Sequence, residues 1–543
     1  MRRLKALILI VLTTLSLEQQ VLSAVTATVV WEFRQGGTSV NNSGCFDPSV
    51  AVPGTDRSQQ AGSQFNGTDL VIDAVDNTLV TSATHNFDTA DEGNCIHITA
   101  GTGFTVQWVV ILDTAANAAT LSSAAGTVGS TGGTWREGGA FPMNSTFEDD
   151  IFEALIGGNK VWIKSDGTAF TVGEAISVAS TSCDADSPCF IEGYQTTRGD
   201  TPTFANSPTL AAGTLATNLG QHKVLSYLNL TTTNASGWAV GALSSILYSK
   251  GINSATAAGS VAFSISNGSL GYSEAISQNG IAVSAAGGST SKVFGSYIHD
   301  SNICFQATNP SAVIEGNVLE ACRTQAINLT STSVAAIITH NTVYGREAQI
   351  GTGLDLNANP SPANRIFNNI FYGLTTGVDV DTAEQKSNIG DYNDFFNNGT
   401  DVTRYTKGAN DLAVNPTFAG AAQITGTTAT TSGSVLTQAS GDFSTVTNNV
   451  DYLHVLSGTG VTTGGYLITS HDATTLTVNN ALGTSAGGDV TYFVTTGHNF
   501  AVGTNLKATG APSTFGSETN NYLDTGAVQR IEPSAGGSFP FVQ

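Results

Sequence analysis

Asp355 in GLDL and Asp379 in GVDV hold the same place in two similar strands 24 residues apart, and Asn328 holds it one repeat earlier. In an alternating strand these residues share one outward column, and Asp381, two positions on, faces the same way. Carboxylates stacked about 5 Å apart repel one another, so a bound ion or a shared proton would relieve them. The set therefore reads as a Ca²⁺ site at Asp355, Asp379 and Asp381. It also reads as a general acid/base pair with Arg346 or His340 close in sequence. A chain of net charge −22 offers a plainer account, a solvated acidic strip, and that account is preferred.

Other polar signals are weaker. His299-Asp300 ends a predicted strand, where a corner hydrogen bond is expected before a catalytic dyad. Arg198-Gly199-Asp200 reads as a turn between strands rather than as an adhesion ligand. Tyr344, Phe371, Tyr372 and Phe395 match one strand register, some as core and others as a sugar-stacking strip. Six cysteines suit an oxidising compartment. Cys183 and Cys189 close the short loop CDADSPC and are the first choice for a disulfide, while Cys45 with Cys95 and Cys304 with Cys322 fit by position. No CxxC or His-rich spacing reads as a zinc site.

The elements that must carry these residues repeat. Ser296, Asn317, Asn341, Asn369 and Asn393 recur at steps of 21, 24, 28 and 24. Ile281, Ile303, Ile327, Leu354 and Val378 recur in step with them, each followed two positions later by another apolar residue. Two columns drifting together by about 24 residues imply a coil with at least two strands per turn. Parallel strands stacked in this way bury one continuous apolar column. Asn at a repeated corner tolerates a left-handed backbone and can bond its neighbours. Upstream, Phe147, Ile151 and Leu155 mark one face of a capping helix that ends at Gly157-Gly158.

A second repetition brackets the coil. Residues 79–127 and 435–484 share their landmarks in order: Phe87 with Phe443, Gly101-Thr-Gly103 with Gly458-Thr-Gly460, and Thr120-Leu121 with Thr475-Leu476. Alternating strands and GTG turns make each copy a small β-module.

Sixty glycines and only 11% charged residues favour an all-β protein. The 42 acidic against 20 basic residues leave no basic stripe for phosphates, which excludes nucleic-acid and anionic-membrane binding. Arg2, Arg3 and Lys5 before an apolar run from Ala6 to Leu17 read as a secretory signal too short to span a bilayer. The expected organisation is a signal peptide over 1–27, a first β-module over 28–139, a coil with its cap over 140–420, a second β-module over 421–505 and a closing segment over 506–543.

At KVWIKSDGTAF and the capping segment before it, the sequence resembles the right-handed parallel β-helix (pectate-lyase-like) superfamily. NYLDTGAVQR at 521–530 is similar to the D-x-GA-x-Q/E segment that closes such helices, and Asn415-Pro-Thr-Phe418 to the element that precedes it. The opening SQQAGSQFNGTDLV resembles N-terminal regions of environmental and phage-encoded β-helix proteins. The resemblance implies a right-handed β-solenoid flanked by two copies of the β-module. It spans polysaccharide lyases, glycoside hydrolases, phage tailspikes and adhesins, and the fold does not choose among them. Contiguous NTD, GHG, RIK and RxPxxR elements are absent from the sequence. The expectation is thus a secreted or virion-surface solenoid that binds extracellular polysaccharide or cell-surface glycan without catalysis, or serves as a structural adhesin. A polysaccharide lyase or glycosidase on the Asp355/Asp379 face is the alternative, and a self-assembling homo-oligomer or filament subunit is the third. No cofactor beyond Ca²⁺ is expected.

Overall fold

The computed structural model describes residues 29–37, 43–59, 65–142, 148–177, 183–286, 290–308, 311–330, 336–345, 350–356, 364–380, 388–416, 418–420, 424–495, 498–499, 513–515 and 518–520. The signal over 1–27, Phe147 and the closing motif at 521–530 lie outside these residues. The fold is nearly all β. The single α-helix among the described residues, Glu148–Ala154, is where the capping helix was expected, and Ile151, Phe152 and the following Leu155 are buried.

The chain forms two units. The first comprises residues 1–143, 154–164 and 181–192. In it, Val30–Phe33 pairs antiparallel with Cys45–Phe46 and parallel with Lys160–Lys164. Strands Phe65–Ile72, Leu79–Thr81, Ala118–Leu121, Gln107–Ala115, Cys95–Ala100 and Thr131–Glu137 close, in that order, into a barrel. Its interior is apolar, with Leu70, Val80, Phe87, Ile96, Ile111 and Trp135 at its centre. Disulfides join Cys45 to Cys95 and Cys183 to Cys189.

The second unit holds the coil. Its turns carry three short strands each, one in each of three parallel sheets. A representative turn runs Thr290–Phe294, Tyr297–His299 and Ile303–Ala307, and the next runs Ser311–Glu315, Val318–Glu320 and Gln325–Leu329. This is a parallel β-helix. Every sheet sends one column inward. Leu225, Ile246, Leu270, Val293, Ile314, Ile338 and Ile366 are in register in the first sheet. Ile298, Leu319, Val343, Phe371 and Phe395 are in register in the second. All twelve are essentially solvent-free, and burying each is worth about 1.5–3 kcal/mol.

In the third sheet the inward column is Val283, Phe305, Ile327, Leu354 and Val378. Ile281 pairs with Ile303, but Ile303 pairs with Gln325 rather than with Ile327. The expected alignment of Ile303 with Ile327 is therefore two residues out. A slip of two keeps the same face inward, so apolar periodicity alone could not detect it.

The polar column is a hydrogen-bond ladder inside the corner. Backbone N and Nδ2 of Asn317 both donate to Asn341 Oδ1 at 3.0 Å, and those of Asn341 donate to Asn369 Oδ1 at 3.0 Å. Asn369 repeats the pattern on Asn393, and Asn393 N donates to Asp411 Oδ1 at 2.8 Å. Earlier turns use serine: Ser249 N donates to Ser273 Oγ and Ser273 N to Ser296 Oγ. A disulfide between Cys304 and Cys322 ties two successive turns.

A second closed barrel belongs to the same unit: Ile424–Ser432, Val435–Thr437, Thr475–Val478, Gly464–His471, Tyr452–Ser457 and Ser485–Thr495, in that order. The strand order matches the first barrel. The irregularities match as well, with register shifts between Gly67 and Leu70 in one and between Gly426 and Ala429 in the other. The duplicated module is thus a six-stranded barrel, extending beyond the repeated stretches 79–127 and 435–484.

Candidate functional site

The residue just before each ladder position adopts a left-handed backbone. Down the column these are Tyr227, Tyr248, Tyr272, Gly295, Gly316, His340, Asn368 and Tyr392, with φ between 49° and 66°. Such a conformation costs a residue with a Cβ roughly 1–2 kcal/mol, and glycine essentially nothing. Gly295 and Gly316 show that the corner works without a side chain. Tyrosine at three consecutive turns is therefore not required by the coil.

Those three tyrosines form a stack. The ring centroids of Tyr227 and Tyr248 are 5.3 Å apart, those of Tyr248 and Tyr272 are 5.2 Å apart, and the planes are within 10° of parallel. Tyr272 meets the edge of Phe294. Its ring also leans over Gly295, where a Cβ would come within 2.8 Å of ring carbons. Tyr248 is 42% exposed and Tyr272 is 44% exposed. A contiguous run of exposed aromatic surface on a rigid element marks a binding face. Tyrosine suits saccharides in particular, because its ring stacks on sugar C–H groups and its hydroxyl remains in water. The spacings of 21 and 24 residues, matching the polar ladder, were the signal in the sequence.

The expected aromatics divide differently. Phe371 and Phe395 are core, stacked at 5.2 Å. Tyr344 and Tyr372 stack at 5.0 Å, but Phe418 packs edge-on against both, so this pair is largely covered.

Asn328, Asp355 and Asp379 are in register on adjacent strands of the third sheet. Gln325 Nε2 donates to Asp355 Oδ2, and Asn328 Nδ2 donates to Gln325 Oε1 at 2.8 Å. Asp379 pairs with Arg404, whose Nη2 lies 3.3 Å away. Amide and guanidinium groups thus relieve the repulsion between the stacked carboxylates. Asp381 and Arg346 lie outside the described residues. His340 sits on another corner, between strands Ile337–Thr339 and Thr342–Tyr344, with Nε2 3.0 Å from Asn368 Nδ2. Burial lowers its pKa.

His299 and Asp300 are buried within a larger network. His299 Nδ1 is 2.5 Å from Asp300 Oδ2, and Nε2 is 3.1 Å from Glu274 Oε1, which Lys250 Nζ also reaches at 2.7 Å. Asp300 Oδ1 receives Thr495 Oγ1 and meets His454 Nε2, both from the second barrel. The pair therefore seats that barrel on the coil, a structural role that sequence spacing did not reveal. Asp200 of the Arg-Gly-Asp triplet accepts from the backbone N of Gln195, Thr196 and Thr197, so its carboxylate closes its own loop.

The class defined by fold and surface is a parallel β-helix protein with two six-stranded barrels and an exposed tyrosine stack. No protein-family model and no curated protein matches the sequence. Among solved structures, the chain is similar to pectate lyase Pel9A, with 11% identity over 71% of this chain and 91% of that one, and a TM-score of 0.40. It is also similar to tailspike protein gp49 of Acinetobacter baumannii bacteriophage Fri1, a capsular polysaccharide depolymerase, with 9% identity over 86% and 97% of the two chains and a TM-score of 0.32. A mannuronic acid specific polysaccharide lyase from human gut microbiota matches over 47% and 74%, at 10% identity and a TM-score of 0.30. These are similarities of fold.

Proposed function

We propose that this protein binds an extracellular polysaccharide along its coil, without cleaving it, as a secreted or virion-surface recognition element. The observation that carries the reading is the stack of Tyr227, Tyr248 and Tyr272, half-buried at Tyr227 and exposed at the other two, kept in left-handed corners where glycine serves the fold better. A polymer that repeats the same sugar can meet a column that repeats the same ring. The formal charge of −22 favours a neutral or zwitterionic glycan over a polyanion.

The test is a glycan array followed by titration of the best ligand, with Tyr248→Gly and Tyr272→Gly beside the wild type. Glycine suits the corner, so these variants fold. Binding weakened about tenfold or more, which is about 1.4 kcal/mol, supports the reading. Unchanged binding overturns it. Reducing-end and unsaturated-product assays on the same glycans separate binding from cleavage.

A catalytic reading rests on the register of Asp355 with Asp379 and on Arg404 beside the latter. In that reading the face cleaves polysaccharide as a lyase or glycosidase, with Ca²⁺ at Asp355, Asp379 and Asp381. Product release by the wild type, abolished in folded Asp379→Asn, would establish it.

A further inference from the structure

Four titratable side chains converge within the first barrel: Arg57, His85, Asp91 and Glu137. Asp91 and Glu137 have no exposure to solvent. His85 Nε2 lies 2.9 Å from Asp91 Oδ2 and 3.6 Å from Glu137 Oε2. Arg57 Nη1 lies 3.1 Å from Asp91 Oδ1 and 3.9 Å from Glu137 Oε1. Each carboxylate thus turns one oxygen to the guanidinium and the other to the imidazole. Neither oxygen of Glu137 has a partner at good hydrogen-bond geometry; its polar neighbours are Arg57, His85, Asp91 and Asn94. Phe65 stacks on the His85 ring at 3.9 Å, and Phe87 meets that ring edge-on.

The second barrel shows that the fold does not require this cluster. Glu137 pairs across strands with Phe65 and Ile96, and Val494 pairs in the same way with Ile424 and Leu453. Val494 is a fully buried member of the second barrel's apolar core. With Phe87 aligned to Phe443, His85 corresponds to Gly441. The same six-stranded barrel therefore closes with valine and glycine at these two places. A fully buried carboxylate with only the distant Arg57 cation, where valine fits, is disfavoured unless a closer cation offsets it.

We propose that His85 Nε2, Asp91 Oδ2 and Glu137 Oε2 form a binding site for a divalent cation of zinc type. Ligand atoms at about 2.0–2.1 Å from a tetrahedral metal are separated by roughly 3.3 Å, which falls between the two separations that His85 makes. All three ligand atoms lie within 4.8 Å of one another. One imidazole and two carboxylates leave a fourth position for water or a ligand oxygen. Arg57, on the remaining oxygens, orients both carboxylates from outside the coordination sphere. The three residues are spread along the chain from 85 to 137 and form no recognisable spacing, so only the barrel assembles them.

The experiment uses the full chain, stripped with chelator and titrated with zinc chloride by calorimetry, with elemental analysis after dialysis. One tightly held zinc per chain is expected in the wild type and none in Glu137→Gln. Arg57→Gln should weaken binding by about 10–100-fold. Glu137→Val borrows the second barrel's own residue and serves as a folded control. In saturating zinc the wild type should melt above Glu137→Val. Absence of retained zinc, or equal retention by Glu137→Gln, overturns the proposal. So does a higher melting temperature for Glu137→Val in zinc, which would mark a buried ion-pair network.

Discussion

Asp300 Oδ1 lies 2.5 Å from His454 Nε2, joining the coil to the second barrel across 154 residues of sequence. Both side chains are buried, and the contact belongs to a chain of charges through His299, Glu274 and Lys250. Burial alone would depress the His299 pKa. The charge and hydrogen bond of Asp300, with help from Glu274, outweigh it and raise the pKa to about 9. For Glu274, burial is likewise outweighed by His299 and Lys250, and its pKa falls to about 2.

These shifts set a pH window for the second unit. His299 binds its proton more tightly when folded, so its contribution is complete below its unfolded pKa of about 6.5 and is lost as pH rises through about 9. Glu274 contributes fully above its unfolded pKa of about 4.5 and loses its effect as pH falls toward about 2. The contribution of this network to thermal stability should therefore be complete between about pH 4.5 and 6.5. It should fall by on the order of 2–3 kcal/mol towards about pH 9. Asp300→Asn removes the main partner of His299 and should flatten the alkaline limb. A melting profile equally steep in the variant would refute this account.

The asparagine ladder predicts a steep local penalty. Asn341 accepts two bonds from Asn317 through Oδ1, and through Nδ2 it donates to Ile314 O at 2.8 Å and to Asn369 Oδ1. Asn341→Ala strands buried partners on both neighbouring turns, at about 1–3 kcal/mol for each unsatisfied group. Denaturant unfolding should show a loss of roughly 2–5 kcal/mol, whereas Asn410→Ala, on an exposed bond to Asp391, should stay within about 1 kcal/mol. Similar losses for the two variants would mean that the ladder is not a main support of the coil.

Much of this fold was legible because a β-helix writes its geometry as period. The inward columns repeat at every turn, and Ser296 to Asn393 repeat at the corner, so rung length and Asp355–Asp379 adjacency both followed from residue spacing. What period could not convey was any relationship off the columns. Ile281 and Ile303 were aligned two residues out because either alignment buries the same face. The three strands per turn read as two or more because the first-sheet strands lie outside both columns that the spacing followed. His299-Asp300 does sit at a corner, but its further partner, His454, comes from a separate barrel and left no mark in the spacing. The tyrosine stack was present as spacing at 227, 248 and 272, but it went unread because the earlier turns mark their ladder with serine, a commoner and less distinctive residue.

Cys304 and Cys322 link a strand of one turn to the corner of the next, at a sequence separation of 18. A crosslink of this length stabilises by about 3 kcal/mol, chiefly by restricting the unfolded chain. Both cysteines are buried among apolar neighbours, so the double variant Cys304→Ala/Cys322→Ala adds a small packing loss. Its unfolding midpoint should fall under oxidising conditions and approach the wild type's when reductant opens the wild-type bond. A gap unaffected by reductant would assign the loss to packing instead.

Asp394, on the outer side of its strand and covered by Val414, is a buried carboxylate whose removal predicts a gain. It follows Ile370 in register on the last turn of the second sheet, and it has no exposure to solvent. Oδ1 accepts from Val414 N at 2.8 Å, whereas Oδ2 has no hydrogen-bond partner. Burial, reinforced by the charge of Asp401, raises its carboxyl pKa to about 7, against the partial offset of the Val414 bond and Lys407. An acid whose folded pKa exceeds its unfolded value favours folding at low pH and opposes it as pH rises from about 4 to about 7. An asparagine side chain at this position would keep the acceptor for Val414 N and carry no charge. Asp394→Asn should therefore stabilise the protein at about pH 8 and change little at about pH 4. The difference should grow across that interval to on the order of 2–4 kcal/mol. Equal stability of the two proteins at the alkaline end would show that the carboxylate is neutralised by a partner, with Lys407, which already holds Asp401 at 2.6 Å, the nearest source of charge.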